Sequence, residues 1–156
     1  MARALPADLP TLGASDALLR RLAPALSAHP RIAEWFATDA LIRRSVVSVV
    51  NLAQGRSPRS RIDFMAPAGD ISVRTSGDRI LLDPESYRRY DGIAEAFVSL
   101  HSEGVAELYQ RLRPLFEQAY RELGLPGRTF EEQLARAFGR VLAFEPPEGP
   151  IVLVDE

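Results

Sequence analysis

Ser102-Glu-Gly-Val-Ala-Glu-Leu-Tyr-Gln-Arg-Leu-Arg-Pro-Leu-Phe-Glu-Gln-Ala-Tyr-Arg-Glu-Leu-Gly124 carries the clearest periodicity in the chain. Val105, Leu108, Tyr109, Leu112, Phe116, Ala119, Tyr120 and Leu123 recur at helical spacing, which predicts a long amphipathic helix ending at Gly124. Pro114 lies inside that pattern. It has no backbone N–H and its ring crowds the Gln110 carbonyl, so the helix is expected to bend there or to restart with Pro114 in a first turn. A stripe this long must be covered by other helices, which makes the fold mainly helical.

The same pattern extends in both directions. Downstream, Thr129-Phe-Glu-Glu132 is a capping box opening a last helix, with Phe130, Leu134, Phe138, Val141 and Leu142 expected to face inward. Pro146, Pro147 and Pro150 stop it, and Ile151-Val-Leu-Val154 can add a short strand. Upstream, Ile71–Thr75 and Arg79–Leu82 flank Ser76-Gly77-Asp78 and read as a β-hairpin that should lie against helices. Asp83-Pro84 starts a short helix through Tyr90, and Asp91 is placed to cap the next, in which Ile93, Phe97 and Leu100 share a face.

The N-terminal half is helical as well. Ser15 or Asp16 can cap a first helix carrying Leu18, Leu19, Leu22 and Leu26, with Pro24 expected to bend or divide it. His29-Pro30 starts a second, placing Ile32, Trp35 and Phe36 on one side. Thr38 or Asp39 can cap a third, Ala40 to Gln54, closed by a left-handed Gly55. Residues 55–70, with Arg56, Arg59 and Arg61 among Ser, Pro and Gly, form an exposed connection. The expected architecture is α+β, mainly α: a single domain over 1–156 of about six or seven helices with a small β-hairpin, residues 1–13 being an extended N-terminal segment. Trp35, Phe97, Leu112, Phe116 and Phe138 are expected to share one core.

Composition sets limits on function. With 46% hydrophobic and 26% charged residues over 156 positions, the chain has the make-up of an ordinary globular domain. A net charge of -2 argues against a polyanion binder, and the three loop arginines lack interleaved aromatics, so no nucleic-acid partner is expected. No run approaches the roughly 20 apolar residues of a membrane span, and the chain reads as a soluble domain. There is no Cys, and the two His are far apart, so neither a thiol nucleophile nor a metal site is expected. No phosphate loop, nucleophile elbow or kinase signature occurs, and no cofactor is expected.

One polar constellation stands out. Arg43, Arg44 and Asn51 lie on an otherwise apolar helix, while Arg89, Tyr90 and Asp91 crowd a helix-to-helix junction. The structural reading is that Asp91 caps a helix and pairs with an Arg while the tyrosines pack at the core edge. The functional reading makes Arg43, Arg44, Asn51, Arg89, Tyr90 and Asp91 ligand-binding candidates.

Leu12 with Ser15-Asp16, Leu41-Ile-Arg-Arg44 through Asn51-Leu52-Ala53, Ser86-Tyr87 with Arg89-Tyr90-Asp91, Leu108-Tyr109 with Pro114-Leu115, Ala119-Tyr120-Arg-Glu-Leu-Gly124 and Ile151-Val-Leu-Val154 occur in this order. As an ordered set they resemble the proteobacterial domain-of-unknown-function family 3014. The resemblance implies a bacterial, envelope-associated or periplasmic protein, with a membrane-spanning segment ahead of the domain in typical members. Val50 stands where an acidic residue commonly precedes the Asn, and His101 where an Asp is usual. The Val50 departure weakens an acid and Asn pair as a chemical site. The expected role is a non-catalytic envelope-associated module binding a protein partner or ligand; the alternative is a cryptic enzyme or small-ligand site built on Arg43, Arg89, Tyr90 and Asp91.

Overall fold

In the computed structural model, which describes residues 8–154, helical structure starts at a short 3-10 turn, Leu12–Ala14. Leu12 is buried there and its carbonyl accepts a 2.7 Å hydrogen bond from the Ser15 hydroxyl. The segment read as extended is thus already helical at its end, and its residues 1–7 lie outside the described residues.

Three helices follow: α1 (Ser15–Leu26), α2 (Pro30–Phe36) and α3 (Leu41–Ala53). Pro24 neither divides α1 nor ends it, because so near the C-terminus it removes only one ladder bond. His29 caps α2 with its own ring: Nδ1 accepts from the Arg31 backbone N–H at 3.2 Å. Helix α3 buries Ile42, Val46, Val50 and Ala53 along one stripe, and Gly55 follows it at φ 73°.

The caps of α1 and α3 differ from the sequence expectation. Neither Ser15 nor Asp16 caps α1, and neither Thr38 nor Asp39 caps α3. Ala40 holds the N-cap position of α3 in the left-handed region, φ 55°. The carboxylate of Asp16, on α1, accepts from the backbone N–H groups of Ala40 at 2.8 Å and Leu41 at 3.2 Å. The residue expected to cap its own helix therefore caps another one in space.

The sheet has three antiparallel strands in the order β1 (Val73–Ser76), β2 (Arg79–Leu82), β3 (Val152–Leu153). Gly77 provides the positive φ, 60°, at the first central position of the two-residue turn. Only Leu81 of these strands is buried, so the hairpin leans on its third strand more than on the helices. Its root is fixed by Ser86, whose hydroxyl bonds both the N–H and the carbonyl of Ser72, at 2.7 and 2.8 Å.

The remaining helices are α4 (Glu85–Arg88), a single turn, then α5 (Asp91–Val98), α6 (Ser102–Glu122) and α7 (Phe130–Leu142). Asp91 is not an N-cap: it is the exposed first residue of α5, and Tyr90 holds the cap position with no side-chain bond. Helix α6 runs without interruption through Pro114. Burial of Leu112 and Leu115 on either side of the proline holds the helix together across the missing bond.

The core is not one cluster but two. Leu19, Ile42, Val46, Leu112, Leu115 and Phe130 belong to the larger, with Phe116 packed against it. Ala23, Ile32, Trp35 and Ala96 form the smaller. Phe97 and Phe138, expected inside, are 52% and 58% exposed. On α7 the buried positions are Phe130, Gln133 and Ala137; Phe130 stacks on Phe116 of α6 and the Gln133 amide donates to Tyr120 Oη of α6 at 3.1 Å, while α7 also packs against α3. The capping box at Thr129 and Glu132 forms as expected, and the carboxylate of Glu117, on α6, adds bonds to the N–H groups of Phe130 and Glu131.

Phe130 is 1% exposed, so Phe130→Ala should cost about 3–5 kcal/mol in urea denaturation. Phe138→Ala should stay within about 0.5 kcal/mol of the parent. Equal losses would contradict this assignment of the α7 faces.

Candidate functional site

The polar residues singled out by sequence have separate partners. Arg43 forms a two-pronged pair with Glu122 of α6, Nε to Oε2 at 2.8 Å and Nη2 to Oε1 at 3.1 Å. Arg44 binds Asp63 at 2.8 Å and the Arg61 carbonyl at 3.3 Å, with its guanidinium 6.0 Å from the Phe64 ring centre. Arg89 donates to the carbonyls of Gly69 at 2.8 Å and Ser86 at 3.3 Å. Its guanidinium also lies 5.7 Å from the ring centre of Tyr90. Of the expected Arg–Tyr–Asp cluster, the structure brings together Arg89 and Tyr90. Asp91 is exposed, and Asn51 lies near the C-terminus of α3, its carbonyl accepting from Gln54 and Arg56.

The candidate that the fold does assemble is apolar and lies elsewhere. A cavity of about 670 Å³ opens among α1, α2, α3, α5, α6 and α7. It touches both core clusters. Trp35 and Phe97, with ring centres 5.3 Å apart, belong to its wall. So do Tyr109, Phe116 and Phe130, the last two stacked at 5.2 Å. Ile42, Ser45 and Val49 come from α3, and Phe64 and Met65 from the connection after it. Leu134 and Phe138 come from α7.

This arrangement explains the misplaced aromatics. Helix α7 buries Phe130, Gln133 and Ala137, which leaves the neighbouring stripe of Leu134, Phe138 and Val141 less covered. Phe97 is likewise half exposed because it lines the opening instead of filling the core. One signal of the cavity was present in the sequence: α7 carries more apolar positions than one packing face uses. Nothing in sequence spacing tells which of the two faces is covered.

Polar groups are few in this region. Tyr109 Oη is buried without a hydrogen-bond partner among the described residues. Burial pushes the pKa of this phenol up, Glu131 and Glu117 push the same way, and Arg113 opposes them, so it stays protonated at neutral pH. Among the described residues no group of three or more His, Asp or Glu could hold a metal ion.

The hydrogen bond from Arg43 holds the Glu122 carboxyl below its ordinary range, with the nearby charge adding to it and slight burial opposing it. A depressed folded-state pKa stabilises the fold above the unfolded value and loses that effect as pH falls through the folded one. The pair is 44% and 43% exposed, so solvent screens it to at most about 1 kcal/mol. Glu122→Gln should therefore lower stability slightly at pH 7 and leave it unchanged at a pH well below the glutamate range. Titrated urea denaturation checks this, and a loss of equal size at both pH values would contradict it.

Neither curated proteins nor solved structures give a match to this chain. A family model does, over residues 41–156, from the first turn of α3 to the end of the chain. It takes in the motifs from Leu41 onward and leaves out Leu12 with Ser15-Asp16, and the chain belongs to the family described as "Protein of unknown function (DUF3014)".

Proposed function

We propose that this domain is a non-catalytic binding module of the cell envelope, and that its ligand site is the apolar cavity rather than the Arg–Tyr–Asp junction. The observation that carries the reading is the cavity itself. Its volume of about 670 Å³ falls in the range of small-molecule sites, and its wall is drawn from six helices of one domain. Arg43, Arg44 and Arg89 each have a separate partner, which leaves the enzyme alternative without an assembled polar centre. The envelope part of the reading rests on the family resemblance. Among the described residues no helix is long and apolar enough to cross a membrane.

Trp35 is the only tryptophan and belongs to the cavity wall, so it reports on occupancy directly. A bromine-labelled acyl chain should quench its fluorescence saturably. Ala106 lines the cavity from an exposed helical position, so Ala106→Phe should block the site while shifting Tm by no more than about 3 °C. Quenching that is absent, or unchanged in Ala106→Phe, would overturn the proposal.

A protein partner is the second reading, favoured by Val141, Leu142 and Phe144, which are 55%, 82% and 70% exposed. On that reading Leu142→Arg should abolish recovery of a specific partner from native membranes while leaving Trp35 quenching intact. Unimpaired recovery would count against it.

A further inference from the structure

We propose that the cavity takes an uncharged ligand built on one extended hydrocarbon chain, a neutral lipid of the alcohol or ester class. The inference rests on the cavity being the ligand site, and it adds the charge and shape of what enters.

Charge comes first. None of the residues lining the cavity is charged. Their side-chain polar groups are the Trp35 indole N–H and the hydroxyls of Ser45, Ser102 and Tyr109. An ionised group moved into such surroundings loses its hydration and gains no counter-ion, whereas an alcohol or ester needs only one hydrogen bond. The charges closest to Tyr109 do not offset this for an anion. Glu131 and Glu117 both act on its hydroxyl, against Arg113 alone, and Arg113 is already paired with Glu131.

Shape is the second constraint. Lining residues on α6 run from Ser102 to Phe116, which at 1.5 Å per residue gives a length of about 21 Å. An extended chain of methylenes can lie along such a slot, with its carbons in van der Waals contact with the apolar wall. Three bonds of an extended chain span about 3.8 Å, so the slot is filled by about sixteen carbons.

The test uses the intact chain and Trp35 fluorescence, with brominated dodecane as tracer displaced by 1-dodecanol, dodecanoate or dodecyltrimethylammonium below their micellar concentrations. Dodecanol should bind at least tenfold more tightly than either ion. In the series of 1-alkanols, affinity should rise about fourfold per methylene and level off near sixteen carbons. Either ion binding as tightly as dodecanol would overturn the charge argument, and affinity independent of chain length would overturn the shape argument. If the tracer itself does not quench Trp35, the cavity is not the ligand site, and the proposal falls with the reading beneath it. Ala106→Phe should remove all binding in each arm, and binding that survives it would place the ligand elsewhere and overturn the inference.

Discussion

Helix α3 has no capping side chain of its own, and both of its ends are held by other helices. At its N-terminus the Asp16 carboxylate on α1 takes the N–H groups of Ala40 and Leu41. At its C-terminus Arg140 of α7 donates from Nε to the Ala53 carbonyl at 3.0 Å. A carboxylate at the positive end of the helix dipole and a guanidinium at the negative end are both favourable, and both are long-range links in sequence. They fix α1 and α7 against α3 at opposite ends.

A helix attached in this way cannot bury every apolar residue it carries. Helix α7 buries Phe130, Gln133 and Ala137, and Leu134 and Phe138 join Phe130 in the cavity wall. The two core clusters on either side supply rigid aromatic walls, Trp35 with Phe97 and Phe116 with Phe130. Burying more of Phe97 and Phe138 would add hydrophobic stabilisation of about 25 cal/mol per Å². On the proposed reading, they are left at the opening because part of the apolar surface there meets the ligand.

The arginines read as a possible site have a supporting part in this picture. Arg44 holds Asp63 and the Arg61 carbonyl, and Arg89 holds the Gly69 carbonyl, so two guanidinium groups tether the connection over residues 55–70 at separate points. That connection carries Phe64 and Met65 to the cavity wall. Exposed ion pairs of this kind contribute little stability, and their effect is to place a loop that has no regular backbone ladder of its own beyond a short 3-10 turn, Asp63–Met65.

Sequence alone determined what is local or periodic. The stripe from Val105 to Leu123 made α6 legible, Thr129 to Glu132 announced α7, and Gly55 and Gly77 marked positive φ because few other residues tolerate it. The family was legible too, from short motifs in a fixed order. Tertiary structure decided everything that depends on which partner a residue meets. Asp16 has the chemistry of a cap wherever it stands, but only the packing of α1 against α3 gives it the N-terminus of α3. Pro114 removes one hydrogen bond in any helix, yet the burial of Leu112 and Leu115 around it kept α6 continuous. The cavity belongs to this second class. Apolar residues for a core and for a binding site are the same residues, and which of them stay uncovered depends on how each helix is turned in the assembled fold.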